Sequence, residues 1–357
     1  MKPWLLLAAL VAGVGLAQPA AAPVRFPEVT PGTPIRLPRD HGSHPDHRIE
    51  WWYVTGWLRD DAGKPLGFQV TFFRSRPAIA TANPSAFTPR QVMFAHAALS
   101  DPALAKLQHD QRVARTGFGI AEAGTADTKL SLLDWSMVRR PDGSFRTLIP
   151  ARGFSLDLTF RPRQPAMANG QNGYSRKGPK AEQASYYYSI PHLRVSGTVL
   201  RGGKRVAVTG EAWLDREWSS TLLPKDAVGW DWAGINLDDG GALMAFQVRG
   251  GNGQSIYAGG TYRRADGRQT VLAPDQVRFL PRRRWRSPAS GAEYPVEADF
   301  VVRLPEGERR FPLRPLFDAQ ELDGRGTGMP TYWEGAVTTP GGRGYLELTG
   351  YAGKLSL

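Results

Sequence analysis

Two stretches of the chain repeat one another: residues 52–70 (WYVTGWLRDDAGKPLGFQV) and residues 230–248 (WDWAGINLDDGGALMAFQV). They align without a gap at an offset of 178 residues, and eight of their 19 positions are identical. Each copy is typical of a strand, an acidic turn and a second strand, the hairpin that opens a β-barrel or a β-sandwich. Because the offset is half of the 357-residue chain, the repeat predicts two related domains made by internal duplication.

The remaining sequence favours short strands over helices. Residues 154–160 (FSLDLTF) alternate apolar and polar side chains, which is the period of a half-buried strand. The 40 glycines and 29 prolines supply many turns. We therefore predict an all-β fold of two tandem antiparallel β-barrels, residues 40–215 and 216–357, each able to enclose one apolar ligand. Two ligand-free sandwiches are the alternative.

The start of the chain has the features of a secretory signal peptide. Lys2 precedes an apolar run that ends near Leu16, and Ala20 and Ala22 supply the small residues of a cleavage site. We therefore expect residues 1–22 to be removed on export and residues 23–39 to form a Pro-rich arm. The mature protein is expected to be secreted, with the periplasm as its location.

Composition narrows the classes of function. The absence of cysteine excludes disulfides, thiolate catalysis and Cys-ligated zinc or iron–sulfur sites. The net charge of +12, in an exported protein, favours an anionic membrane surface over nucleic acid as a partner. No Gly-x-Ser-x-Gly, Walker, dinucleotide-binding or His-Glu-x-x-His pattern is present. The oligomeric state stays open.

The first candidate cluster surrounds Glu50. In a strand that begins there, Glu50 and Trp52 share one face and Trp51 lies on the other. Glu50 is either a desolvated acid with a raised pKa or a strand-capping residue paired with an arginine. The nearby His41, His44 and His47 have a spacing that could bind zinc, or they form a polar loop that hydrogen-bonds the backbone. We expect neither a metal nor a cofactor.

The second cluster is GEAWLDREW, residues 210–218. In a strand, Trp213, Asp215 and Glu217 share a face, with Arg216 and Trp218 opposite. Two carboxylates this close repel unless a cation or a shared proton intervenes. Such pairs occur in acid–base sites and in arginine-bridged structural networks, and both interpretations stay open.

Three further features complete the candidates. His96 lies in an apolar run, where it is either a core residue or a catalytic base. Tyr186–Tyr188 and residues 175–179 form either a lid of phenols and cations or a solvated loop. Residues 282–286 (RRRWR) are expected to be a basic turn, either a solvated face or a membrane contact.

One ordered set of motifs spans nearly the whole mature chain: DHGSH (40–44), EWWYVTG (50–56), FAH (94–96), SRKG (175–178), YYYS (186–189), AWLDREW (212–218), GWDW (229–232), WRSP (285–288), YP (294–295) and YWEG (332–335). Together they resemble the AttH/CrtC-like lipocalin family, labelled predicted secreted hydrolases and related to carotenoid 1,2-hydratases. The resemblance implies two tandem lipocalin-like antiparallel β-barrels, in agreement with the repeat.

The related hydratases add water to an isolated isoprenoid double bond. That chemistry needs a protonated acid in a dry pocket, aromatic faces that stabilise a carbocation, and one admitted water. The resemblance implies a departure as well, since the hydratases carry a His where this chain has Arg216. A permanently charged Arg216 cannot shuttle a proton, and we expect it to hold Asp215 or Glu217 ionised.

The sequence therefore predicts an exported protein that binds a long apolar ligand, an isoprenoid or a lipid. Acid-catalysed hydration, cyclisation or hydrolysis of that ligand is one hypothesis; a non-catalytic periplasmic carrier is the rival, and a membrane-associated scaffold is a third. The candidate catalytic residues are Asp215, Glu217, Glu50 and His96. The candidate ligand-binding residues are His44, Trp51, Trp52, Tyr186, Tyr188, Arg216, Trp218, Trp230 and Trp232.

Overall fold

The computed structural model describes residues 24–78, 85 and 87–355. The predicted signal peptide lies outside these residues. The first described strands are β1 Ile49–Asp60, β2 Pro65–Ser75, β3 Val92–Asp101, β4 Lys106–Arg115, β5 Ala121–Ala123, β6 Lys129–Leu132, β7 Trp135–Arg139, β8 Phe145–Ala151, β9 Phe154–Arg161, β10 Met167–Ala168, β11 Tyr174–Arg176, β12 Ala184–Arg201 and β13 Lys204–Ser219.

The following strands are β14 Ala227–Leu237, β15 Ala242–Gly250, β16 Ser255–Arg263, β17 Gln269–Leu272, β18 Val277–Arg286, β19 Glu293–Leu304, β20 Gly307–Pro315, β21 Glu321–Asp323, β22 Thr331–Thr339 and β23 Gly342–Leu348. Short 3-10 helices occupy Arg39–His41, Pro274–Gln276 and Arg325–Thr327. No helix in the described part of the chain is long and apolar enough to cross a membrane.

The strands form two antiparallel sheets with one shared topology. The first has the order β4-β3-β2-β1-β13-β12-β9-β8-β7-β6-β5, with β10 and β11 also paired to β12. The second has the order β17-β16-β15-β14-β23-β22-β20-β19-β18, with β21 paired to β22. The nine strands of the second order follow the same connectivity pattern as the first nine strands of the first order, from β4 to β7. The fold is therefore two tandem lipocalin-like β-barrels related by internal duplication. Each sheet curls, because β4 approaches β6 and β8, and β16 approaches β18.

Alternation along the strands gives each barrel its own apolar core. Val54, Phe68 and Leu158 belong to the first core, and Ile235 and Phe300 belong to the second. A third apolar cluster joins the outer faces of the two barrels; it includes Tyr53, Trp57, Tyr187, Trp213, Trp232, Phe246 and Tyr345. The strands at this junction are therefore buried on both faces.

Strand pairing defines the boundary between the two barrels. β13 continues to Ser219 against β1, and the second sheet begins at Ala227, so the boundary expected at 215/216 falls within β13. The described part of the arm, residues 24–38, forms neither strand nor helix. It packs on the first barrel, where the Thr30 amide donates to the Tyr186 hydroxyl at 3.0 Å. Residues 282–286 are strand β18, not the turn expected from their composition.

Candidate functional site

A cavity of about 90 Å³ lies between the two barrels, on the faces turned away from their cores. Its aromatic walls are Trp51, Tyr53, Phe73, Tyr187, Trp230, Trp232, Phe246 and Tyr332. Leu222, Leu223, Met329 and Leu355 add aliphatic surface. The expectation that each barrel encloses a ligand is thus corrected for the described residues: buried apolar side chains fill both cores, and this aromatic cavity lies where the barrels meet.

Four carboxyl groups line this apolar cavity, and they come from both barrels. Asp215 and Glu217 project from β13, while Glu334 and Glu347 lie directly opposite each other on β22 and β23. Lys177, a buried cation, also lines it. An excess of buried carboxyl groups over cations disfavours ionisation, because each added negative charge must be desolvated and repels the others.

Asp215 is the most completely hydrogen-bonded of the four. Its Oδ1 accepts from the Ser189 hydroxyl at 2.5 Å and the Trp213 indole at 2.7 Å, and its Oδ2 accepts from the Tyr187 hydroxyl at 2.8 Å. Burial nevertheless raises the pKa of Asp215 to about 7, with repulsion from Glu217 adding to the effect and the three donors opposing it. Burial therefore favours the protonated form of this carboxyl far above the pH at which an exposed aspartate ionises.

The packing around Asp215 depends on a glycine. The Trp232 indole donates to the Tyr187 hydroxyl at 3.0 Å, which extends the hydrogen-bonded chain into the second barrel. A Cβ at Gly234 would lie 2.6 Å from the Trp232 ring and 3.0 Å from the Trp213 ring. Gly234 therefore gives these two indoles the room that they need at the junction.

Glu217 is paired with the buried lysine. Lys177 Nζ lies 3.0 Å from Glu217 Oε1, which also accepts a hydrogen bond from the Ser185 hydroxyl. The ammonium group lies 4.5 Å from the ring centre of Tyr187 and 4.6 Å from that of Phe246. Burial lowers the pKa of Lys177, while Glu217 opposes that shift. The pair places one cation at the aromatic wall of the cavity.

The second pair of carboxyls is held protonated by its surroundings. Burial raises the pKa of Glu334 well above its ordinary value, and the facing Glu347 reinforces the shift. Burial raises the pKa of Glu347 to about 8, with Asp215 and Glu217 adding repulsion and the Trp230 indole opposing it. The protonated forms of both carboxyls are therefore favoured on this side of the cavity.

Glu50 and Arg216 lie on the opposite face of the same strands. Glu50 accepts hydrogen bonds from the guanidinium groups of Arg74 and Arg216, from the Ser43 hydroxyl at 2.6 Å and from the His44 amide at 2.9 Å. Although burial opposes ionisation, Arg216, His44 and Arg74 hold the pKa of Glu50 well below its usual range. Glu50 is thus a buried, ionised structural carboxylate with no contact to the cavity.

Arg216 was expected to hold Asp215 or Glu217, and the structure corrects this. Its guanidinium lies 3.9 Å from the Trp52 ring centre and binds Glu50, inside the first barrel. Alternation along β13 places Arg216 on the face away from the Asp215 and Glu217 side chains, so its ion pair is with Glu50.

Comparison with known proteins agrees with this architecture. The AttH-like family matches residues 28–351 of the sequence. The chain belongs to the AttH-like family. No curated protein matches the sequence. A solved structure named as a candidate AttH, from Nitrosomonas europaea, is 52% identical, with a TM-score of 0.85 over 91% of this chain and 100% of that one.

Another solved structure shares the fold at low identity. Kievitone hydratase from Nectria haematococca is 15% identical, with a TM-score of 0.65 over 93% of this chain and 98% of that one. The AttH-like chain therefore shares its overall fold with that protein.

The clustered histidines His41 and His44 of this AttH-like chain contact residues of the first barrel. His44 stacks on Trp218 with ring centres 3.8 Å apart, and its Nε2 lies 3.1 Å from Asp40. His41 Nδ1 lies 2.6 Å from the Tyr188 hydroxyl. Within the ranges that the structure describes, no three potential metal-ligating side chains converge. The loop that carries His41 and His44 is thus held against the first barrel by hydrogen bonds and ring stacking.

His96 lies behind the cavity wall. Its Nδ1 is 2.9 Å from the Tyr332 hydroxyl and its Nε2 is 3.3 Å from the Thr327 hydroxyl. Burial lowers the pKa of His96 to about 3, so the ring is neutral. His96 therefore positions Tyr332, which lines the cavity, and does not itself face the free space.

The predicted site residues thus divide between the two faces of the strands. Asp215, Glu217, Trp51, Trp230 and Trp232 line the cavity. The structure places the others inside the first barrel or behind the wall: Glu50, His44, Trp52, Tyr186, Tyr188, Arg216, Trp218 and His96.

Sequence reasoning missed Tyr53, Glu334 and Glu347 among the lining residues, whereas Lys177 and Tyr187 belong to the segments for which a lid of phenols and cations was one of two interpretations. A usable signal was present for the two glutamates. Each interrupts an otherwise apolar strand, YWEGAV for Glu334 and YLEL for Glu347. A glutamate in such a strand is buried when the strand packs on both faces.

Proposed function

We propose that the cavity binds an apolar, unsaturated ligand of the isoprenoid or lipid class and that Asp215 protonates it. The observation that supports this most is a carboxyl with a pKa of about 7 in a cavity walled by indole rings. A general acid works best when its pKa lies near the operating pH. An ion pair of Arg216 with Asp215 or Glu217 would have favoured an arginine-bridged structural network. Arg216 instead binds Glu50 on the other face of the strand.

Hydration is the reaction that these groups support best. The Asp215 carboxyl donates its proton to one carbon of a double bond, and the other carbon becomes a carbocation. The π-faces of Trp230 and Trp232 stabilise the positive charge. A water molecule bonds to the carbocation through oxygen, and its extra proton returns to the Asp215 carboxylate. The net change is the addition of one water to the ligand.

The ligand is identified first, by mass spectrometry of small molecules that copurify with the native protein. Its conversion is then measured in ¹⁸O-labelled water with wild type and Asp215→Asn. We expect the substitution to lower turnover at least about a hundredfold while ligand binding is kept. Asp299→Asn is the matched control, since Asp299 is a buried aspartate outside the cavity.

The outcomes separate the enzyme from the carrier. Incorporation of ¹⁸O by wild type but not by Asp215→Asn supports the proposal. A wild-type protein that binds the copurified compound and never converts it is a carrier, which would overturn the catalytic part.

Export and contact with an anionic membrane are part of the same proposal. The signal-peptide pattern and the net charge of +12 support them. Mature protein that begins near residue 23, found in the periplasmic fraction, would agree with export.

A further inference from the structure

Glu334 is buried without a partner. Its side chain lines the cavity and is 2% exposed, yet neither carboxyl oxygen has a hydrogen bond among the residues that the structure describes. An unsatisfied buried polar group costs about 1–3 kcal/mol, and most such groups in proteins are bonded. Asp215, a few strands away, has three donors.

A second unpartnered group lies beside it. The Tyr53 hydroxyl is buried, lines the same cavity and also has no hydrogen bond within the described chain. The hydroxyls of Tyr53 and Tyr332 come near the Glu334 carboxyl and partly oppose the rise of its pKa, but neither Glu334 oxygen makes a hydrogen bond of normal geometry with a described residue. The Tyr332 hydroxyl is engaged by His96 and Gln69. One carboxyl and one phenol are thus left facing the free space.

Their chemistry defines what could satisfy them. A neutral carboxylic acid offers one donor and one acceptor, and a phenol offers a donor. A hydroxyl on the ligand can accept from one group and donate to the other, and a carbonyl can accept from both. A hydrocarbon satisfies neither.

We infer that Glu334 and Tyr53 form a polar pole of the cavity that binds a hydroxyl or carbonyl oxygen of the ligand. The ligand is then an apolar molecule that carries a polar group, not a plain hydrocarbon. This inference rests on the proposed ligand site and specifies its substrate class. The pole lies in β1 and β22, so both barrels take part in recognition.

The test compares geraniol with the hydrocarbon that lacks only its hydroxyl group. Binding to the full-length mature protein is followed by quenching of tryptophan fluorescence. We expect geraniol to bind at least about tenfold more tightly, since the hydrocarbon leaves two buried groups unpaired. Glu334→Met and Tyr53→Phe should each remove most of this preference. Tyr345→Phe is the matched control, because Tyr345 is a buried, unpartnered phenol outside the cavity.

Stability supplies an independent readout. Because Glu334→Met removes an unsatisfied carboxyl and keeps its volume, it should raise the Tm of the ligand-free protein by a few degrees. A lowered Tm would show that Glu334 has a structural role and would overturn the inference.

The failures can be told apart. Equal affinity of the alcohol and the hydrocarbon for wild type would mean that water satisfies the pole, which overturns this inference alone. If neither compound binds, and farnesol and its deoxy analogue do not bind either, the proposed ligand site fails and this inference fails with it.

Discussion

At the scale of single residues, Asp215 should set a pH dependence. Burial raises its pKa from 3.8 to about 7, so folding favours the protonated form. The contribution of Asp215 to the free energy of unfolding is fully present below about pH 4 and is lost as the pH rises through about 7. Asp215→Asn should flatten this loss, which is at most about 4 kcal/mol. Urea unfolding of both proteins from pH 4 to pH 8 measures it; parallel profiles would contradict the raised pKa.

The ionisation of Glu50 should change the stability of the protein with pH in the direction opposite to that of Asp215. The pKa of Glu50 is held well below the usual range, so its contribution is present near neutral pH and is lost as the solution becomes acidic. Glu50→Gln leaves Arg74 and Arg216 buried without their carboxylate and should cost about 3–5 kcal/mol of unfolding free energy. Asp157→Asn, at the partly exposed pair with Arg146, should cost less than about 1 kcal/mol. Similar costs in urea unfolding would rule out the buried network.

At the scale of elements, a β-bulge in β12 lies at the junction between the two barrels. The register shifts between Ile190 and Leu193, so side chains on either side of the bulge both reach the first core. His192 in the bulge has a φ of 55°, and its ring nitrogens lie 2.8 Å from Glu211 and 2.8 Å from the Gly241 carbonyl. The bulge thereby ties β12 to the second barrel.

We expect His192→Ala to destabilise the protein by about 2–3 kcal/mol, because it removes both contacts and keeps an unfavourable backbone conformation. His192→Asn should cost less, since Asn tolerates a positive φ and keeps a polar side chain. The two variants are compared by urea unfolding at pH 7. An Asn variant as unstable as the Ala variant would argue against backbone strain at the bulge.

Strand alternation explains how much the sequence could predict. The gapless repeat indicated the paired barrels, and alternation in residues 213–217 separated Asp215 from Arg216 correctly. Three consecutive tyrosines show no alternation between apolar and polar side chains, so the sequence could not tell whether Tyr186 or Tyr187 faces the cavity. Strands buried on both faces have no polar side that marks the exterior, and the position of the cavity between the barrels was therefore not predictable from periodicity.

At the scale of the whole molecule, the site exists only where the two barrels meet. Asp215 and Tyr53 come from one barrel, and Trp232 and Glu334 come from the other. The junction is also held by polar contacts, such as the Trp57 indole to the Gly344 carbonyl at 3.0 Å. Duplication therefore created a cavity that neither barrel has alone.

Separating the two barrels should consequently destroy the cavity between them and make each half less soluble. A cut within residues 220–226, between β13 and β14, leaves each sheet intact but exposes the aromatic junction, including Trp213 and Phe246. Each half expressed alone should aggregate or bind the dye ANS strongly, since a large exposed apolar patch favours association. Coexpressed halves should copurify as one complex on size exclusion and recover ligand binding. A single half that stays monomeric and binds the ligand would place the site within one barrel, because only an enclosed pocket could then hold it.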